Sequence, residues 1–404
     1  MNYRIEKAQA VLERVSSCPS CARAGMREFY AFHGAPVHSV LLMPTREEAV
    51  SYPRGSIRLG FCEGCGFISN TAYDPSVQEY SGKCEETQGF SETFNAFAKK
   101  LAFELIEKYS LRGKRIVEIG CGKGEFLTML CEMGGNSGTG FDPAYVEGRC
   151  ASSASVKFIK DFYSEKYSGT GTGADFMICR MTLEHIGETG SFLKSLRKSL
   201  EGRSDTVLFF QVPDITRVLS ELAFWDIYYE HCSYFSAGSL ARLFRASGFE
   251  VTGIKKDYGG QYIMLEARPS RARSIRPAPE EDDFEEIKDL VEYFSQNAAL
   301  KISSWKNRLE EFEKKGLKTV IWGSGSKGVA FLTTLGAGAR ISKAVDINPF
   351  RKGTFMAGTG HEIVEPEYLV KLRPDAVIVM NPVYTMEVER ELERLGVKAE
   401  LLTA

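Results

Sequence analysis

The segment KRIVEIGCGKGEFLTML, residues 114–130, sets the tightest limit on the fold. A strand-like apolar run stops at Gly120-x-Gly122-x-Gly124, and a helix-like apolar pattern follows at once. Glycines at this spacing let the backbone turn sharply and let a ligand approach where a side chain would clash. A strand that feeds a helix through such a turn belongs to a parallel sheet covered by helices. The neighbouring text agrees. Strand-like runs at 139–142, 175–181 and 206–213 alternate with helical patterns such as SFLKSLRKSL and SLARLFRASG. YIMLEARP (262–269) reads as an antiparallel edge strand, and FSETFNAFAKKLAFELIEKYS (90–110) as a helix.

A second unit of the same kind lies at IWGSGSKGVAFLTTLG, with Gly323-x-Gly325-x-x-Gly328 and Asp346 at the end of the next expected strand. By spacing alone this is a dinucleotide turn, so a dinucleotide-dependent oxidoreductase is the rival reading. Phosphate suits a helix N-terminus, and Lys327 adds positive charge there. Between the two units, residues 269–283 are rich in proline and charge and lack apolar periodicity, as a linker would be. A long helical pattern follows, over about 284–316. With 404 residues, two or three domains are expected. The boundaries are read as 1–88, 89–270 and 271–404.

The first segment is framed by CPSC (18–21) and CEGCGF (62–67), with strand-like SVLLM and IRLGF between them. Two C-x-x-C knuckles can aim four thiolates, Cys18, Cys21, Cys62 and Cys65, at one zinc ion. The 40 residues between the pairs exceed the usual ribbon spacing, so the insert must fold on its own. Four thiolates leave no open coordination position, which makes the expected zinc structural. The other cysteines have no paired spacing and read as packing residues.

The net charge of −2 argues against a broad nucleic-acid surface. No stretch has the run of apolar residues that crosses a bilayer, and the N-terminal text has no apolar signal core. A cytoplasmic protein acting on a small molecule, as a monomer or weak homo-oligomer, is the expectation.

In the middle unit Glu118 precedes the glycine turn, and Asp142 ends the next strand, where a carboxylate can accept both ribose hydroxyls. Asp161 and Phe162 follow the third strand, placed to meet an adenine amino group and ring. This order resembles the S-adenosylmethionine pocket of class I methyltransferases. CRMTLEHI (179–186) strengthens the resemblance and adds Arg180 to the implied cofactor-binding residues.

DIYYEHCSYFS (226–236) follows the strand TVLFFQVP and so falls at the ligand-binding end of the sheet. It holds His231, and histidine is the usual general base. Together with FSETFNAFA and DINPFRKG…HEIVEPEYL…PDAVIVMNPVY it resembles three-part C-methyltransferases that act on nucleotide-activated deoxysugars. The resemblance spans nearly the whole chain. It implies an α/β class I methyltransferase sheet, a small N-terminal zinc-binding domain and a C-terminal Rossmann-like domain. It implies S-adenosylmethionine as cofactor and His231 as the base that makes an enolate from a keto-sugar. Glu230, Tyr228 and Tyr80 are implied helpers. Gly323, Gly325, Lys327 and Gln261 are implied substrate contacts. Oxygen or nitrogen methylation is the rival within the class.

Overall fold

A computed structural model describes residues 17–150, 155–167, 173–270 and 277–404. The charged N-terminal text 1–16 and the centre of the expected linker, 271–276, lie outside the described residues.

Strands β1 (Arg27–Pro36), β2 (Arg54–Phe61) and β3 (Ile68–Asn70) pair antiparallel in the N-terminal unit. The expected strand SVLLM does not form. Leu41 and Met43 instead make isolated bridges to Cys84 and Phe355, so this run cross-links distant segments rather than joining the sheet.

The helix Glu92–Tyr109 is capped by the Ser91 side chain and buries Ala98, Leu101, Ala102, Leu105 and Ile106. That spacing of three and four is the apolar face the sequence predicts. It leads into β4 (Arg115–Ile119), β5 (Ser137–Phe141), β6 (Val156–Ile159), β7 (Phe176–Arg180) and β8 (Val207–Pro213). These five strands are mutually parallel, in the order β8-β7-β4-β5-β6. β9 is a two-residue strand, Ser233–Tyr234. β10 (Phe249–Asp257) and β11 (Tyr262–Pro269) then complete the sheet beyond β8. β11 is antiparallel, as expected, but it is not the edge: it pairs with β8 on one side and β10 on the other. The edge strand is β10, whose exposed lysines and register break suit a solvent-facing rim.

β9 leaves the middle unit and pairs with β3, aligning Ile68 with Tyr234 and Ser69 with Ser233. The N-terminal sheet is therefore finished by the chain just after His231.

The C-terminal unit is an all-parallel sheet in the order β14-β13-β12-β15-β16, made of β12 (Thr319–Trp322), β13 (Lys343–Val345), β14 (Ile363–Val364), β15 (Ala376–Val379) and β16 (Glu400–Thr403). The helix Phe284–Lys314 buries a stripe from Ile287 to Phe312, and Phe294 meets the rings of Phe29 and Tyr30 edge-on. One apolar core joins Phe29 and Ile57, Trp225 and Tyr229, and Phe294 and Phe331. The three units thus share buried surface, which fixes where their loops meet. Among the described residues, no helix is long and apolar enough to cross a membrane.

Candidate active site

A cavity of about 1150 Å3 lies where the three units meet and is lined by residues of all of them. On its middle-unit side β4 ends in the glycine turn, beside β7, where the strand order reverses. Ligands bind at such switch points. Gly120 has φ +72°, and a Cβ there would sit 1.9 Å from the Thr182 hydroxyl. Gly124 has φ +89°, and a Cβ there would strike the Phe158 ring at 2.4 Å. Gly122 lies between them on the cavity wall.

Glu118 is buried beneath the turn, and its Oε2 has no hydrogen-bond partner. Burial pushes its carboxyl up to about 7 against the pull of Arg180. The Arg180 guanidinium lies 3.8 Å from the Phe126 ring centre and donates from Nε to Gln211. The Asp142 carboxylate accepts the N–H groups of Gly122 (2.9 Å) and Ala144 (2.7 Å), so it braces the turn. Asp161 lies on the rim, accepting from the Tyr167 hydroxyl and pairing with Lys166. Phe162 is 59% exposed and meets Tyr80 edge-on. Lys123, fully buried, donates to the carbonyls of Cys84 and Ala144 and so ties the segment after Tyr80 across the turn.

The stretch 226–236 enters the cavity from the opposite side. His231 is 4% exposed, its ring 4.8 Å from that of His185 and 4.1 Å from that of Tyr228. Burial, with lesser push from His185 and Lys327, holds its pKa well below 6.5, so the ring is neutral at pH 7. Glu230 is buried too. Its Oε1 accepts from both the N–H and the hydroxyl of Ser39, while Oε2 has no partner. The hydroxyls of Ser39 and Ser326 are 2.8 Å apart, which joins the N-terminal and C-terminal units at this acid. Tyr80 reaches in from the N-terminal unit, with its hydroxyl 3.3 Å from His185 Nδ1. Cys232 turns toward the Glu184 carbonyl, as expected of a packing residue.

Three further residues belong to this site: Glu184 falls inside CRMTLEHI, whereas His38 and Ser39 have no signal in sequence spacing. His38 lies 3.7 Å from Glu230 and 3.6 Å from the Cys84 sulfur. Ser39 follows it. Glu184 lines the cavity with neither carboxyl oxygen hydrogen-bonded. The one local hint is that His38 and Ser39 come directly after a strand that ends at a proline.

At the second glycine turn, Gly323 has φ +110°, and the space above Gly325 is open. Lys327 pairs with Asp226 at 2.7 Å and reaches Gln261 at 3.4 Å, and Gln261 donates to Asn381 at 2.7 Å. All four line the cavity. Asp346 accepts from Ser324 and Asn348, closing its own turn much as Asp142 does.

The four knuckle cysteines come together. The sulfurs of Cys18 and Cys65 are 3.7 Å apart, and those of Cys21 and Cys62 are 3.6 Å apart. All four lie within 4.8 Å of one another, a spacing that fits a tetrahedron around one ion. Burial pushes the Cys62 thiol up to about 11, so without a cation that thiol stays protonated at pH 7. Each knuckle is pinned to the middle unit. Arg242 donates to the Cys65 carbonyl, and the Gly190 N–H donates to the Pro19 carbonyl.

The buried acids make stability depend on pH. Burial raises Glu118 and Glu230 to about 7 and Glu184 to about 8, from 4.5. The folded chain therefore holds protons that the unfolded chain has released. The stability these groups contribute is present below about pH 4.5 and is lost as pH rises through 7 to 8. His38 and His185, lowered by burial to about 3 and about 4, oppose this only below 6.5, since above it they are neutral in both states. The thermal midpoint of the ligand-free protein is expected to fall between pH 6.5 and 8.5. A flat or rising midpoint over that range contradicts the assignment.

Comparison with known proteins agrees with this geometry. Residues 90–253 match the family described as methyltransferase domain, and residues 266–399 match the C-methyltransferase C-terminal domain. The chain is 26% identical over 304 residues to the C-methyltransferase NovU of Streptomyces niveus, covering 72% of each. Among solved structures, 1,6-didemethyltoxoflavin-N1-methyltransferase of Burkholderia thailandensis, with S-adenosylhomocysteine bound, is 16% identical, with a TM-score of 0.33. That alignment covers 45% of this chain and 82% of the other. Magnesium protoporphyrin IX methyltransferase of Synechocystis is 16% identical over 44% of this chain and 84% of the other, with a TM-score of 0.34.

The chain is an S-adenosylmethionine-dependent methyltransferase. Within that class, the match of residues 266–399 to the C-methyltransferase C-terminal domain and the similarity to NovU set it beside the C-methyltransferases.

Proposed function

We propose that the protein methylates the carbon next to the ketone of a nucleotide-linked keto-deoxysugar, with His231 as the base. The observation that carries this reading is that a neutral, buried His231 and both glycine turns line one cavity. Carbon becomes a nucleophile only when a proton beside a carbonyl is removed, and a neutral imidazole out of water suits that step. The bound cofactor supplies an electrophilic methyl group on a sulfonium sulfur. The C–H electron pair moves into the enolate as His231 takes the proton. With the cofactor bound, the enolate carbon would bond to the methyl carbon as the S–CH3 bond breaks, its pair staying on sulfur and S-adenosylhomocysteine leaving.

Glu230, held by Ser39, orients the imidazole or binds a sugar hydroxyl. The hydroxyl of Tyr228 or Tyr80 serves the developing oxyanion, where electrostatic help is largest. The second turn, with Lys327, Gly323, Gly325 and Gln261, receives the nucleotide diphosphate. The cysteine quartet holds a structural zinc ion. Ten cysteines, nine of them partly or fully buried and none disulfide-bonded, suit the reducing cytoplasm.

A screen of nucleotide-sugars with methyl-labelled S-adenosylmethionine tests this, with NMR locating the methyl group. Label on oxygen or nitrogen rejects carbon transfer. Heat on titration with NADPH and none with S-adenosylmethionine rejects the whole reading.

Asp142 supports the cofactor in two ways, as a ribose acceptor and as the brace of the turn. Asp142→Ala is expected to weaken S-adenosylmethionine binding roughly 10- to 100-fold by calorimetry, the value of one or two charge-assisted hydrogen bonds. Unchanged affinity removes Asp142 from the site.

A further inference from the structure

Among the buried side chains in the cavity that the mechanism above leaves without a task, one is also without a partner. Glu184 is 1% exposed, and neither of its carboxyl oxygens meets a hydrogen-bond partner. Burying an unpartnered carboxyl is costly, and a leucine would fill the place at no such cost. A carboxyl oxygen of Glu184 and ring nitrogens of His185 and His231 all lie within 4.8 Å of one another. In a ketone, the proton to be removed and the carbonyl oxygen sit on adjacent atoms. A base on the proton and a donor on the oxygen must therefore stand a few ångströms apart, converging on one small volume. Glu184 stands at that distance from His231. Neighbouring His185 is already engaged by the Tyr80 hydroxyl.

We propose that Glu184, as a neutral carboxylic acid, donates a hydrogen bond to the acceptor's carbonyl oxygen while His231 removes the adjacent proton. This role rests on the reaction proposed above and adds a second donor to its oxyanion, beside the tyrosine hydroxyl. No bond to Glu184 breaks: the O–H stays on the carboxyl, and the negative charge develops on the ketone oxygen in front of it. The donor is preorganised and out of water, the condition under which such a contact lowers a barrier most.

The surroundings keep the group neutral. Burial pushes it up to about 8. The titratable groups that face it are His185 on its own turn, Tyr228, His231 and Cys232 on the 226–236 stretch, Cys179 on β7 and Tyr262 on β11. None of these is a cation at pH 7, and among the described residues no ion pair to Glu184 forms.

The test uses a nucleoside-diphosphate 4-keto-6-deoxyhexose as acceptor and compares the wild type, Glu184→Gln and Glu184→Ala. The amide of glutamine still donates but does not ionise. The wild type is expected to lose kcat as pH rises through about 8, whereas Glu184→Gln keeps its activity beyond that limb. Glu184→Ala is expected to lose about 100-fold or more in kcat with KM little changed, the usual effect of deleting one oxyanion donor. Infrared difference spectra of the wild type against Glu184→Gln, without acceptor, should show a protonated carboxyl at pH 7 that disappears above pH 8.

Full kcat in the alanine variant, the same alkaline limb in the wild type and the glutamine variant, or an ionised carboxyl at pH 7 each overturns the role. If the wild type methylates the keto-sugar but Glu184→Ala does so equally well, only Glu184 is misassigned. If the wild type methylates no keto-sugar, the proposed function itself fails.

Discussion

His231→Ala is expected to lower kcat by about 10²- to 10⁴-fold, the range a positioned general base contributes. S-adenosylmethionine binding should be unaffected, because the cofactor turn and its brace at Asp142 belong to β4 and β5. The sharper readout is proton exchange. With S-adenosylhomocysteine bound in place of the cofactor, the wild type should wash deuterium from solvent into the carbon beside the ketone, and the variant should not. Exchange at the wild-type rate in His231→Ala would mean that another group is the base. The nearest alternative is His185, with its ring 4.8 Å away. The same experiment on His185→Ala then identifies it.

The second large effect concerns metal. Cys62→Ser, or exhaustive chelation, should lower the thermal midpoint by about 10 °C or more and abolish activity, since a closed thiolate site contributes folding energy outright. Elemental analysis should find stoichiometric zinc in the wild type and little in the variant. The loss of activity follows from connectivity. Cys65 is followed almost at once by β3, which pairs with β9, and β9 starts two residues after His231. If the knuckles come apart, the strand that anchors the catalytic stretch loses its partner. Full activity in zinc-free protein would break that link.

Much of this architecture was legible in the sequence because it is local. The glycine turns, the apolar face of 92–109, the alternation of strand and helix and the twin C-x-x-C knuckles each need only a short window of chain. What escaped was long-range. Nothing in SY (233–234) announces a strand that completes a sheet begun two hundred residues earlier. FEVTGIKKD, the actual edge strand, has a broken apolar alternation, with two adjacent exposed lysines and a register break at Gly253. SVLLM has the composition of a strand, but its backbone is spent on isolated bridges. Within the site, His231, Glu230 and Tyr228 were found together because they sit in one stretch. His38 and Ser39 come to the same place through tertiary folding alone, so spacing could not reveal them, while Glu184 sits in CRMTLEHI but its lack of a hydrogen-bond partner is visible only in the fold.

The contact between Ser39, Glu230 and Ser326 has a consequence for how the enzyme comes into being. Glu230 is held by a residue made early, and that residue is steadied by one made about 287 positions later. While the chain is still being synthesised, the cofactor turn can form, and the Ser39 N–H can hold Glu230, but the Ser39 hydroxyl on the same oxygen has no partner at Ser326 until the helix after β12 has docked. On the proposed mechanism, deprotonation of the acceptor therefore reaches its full rate only once the last unit has folded.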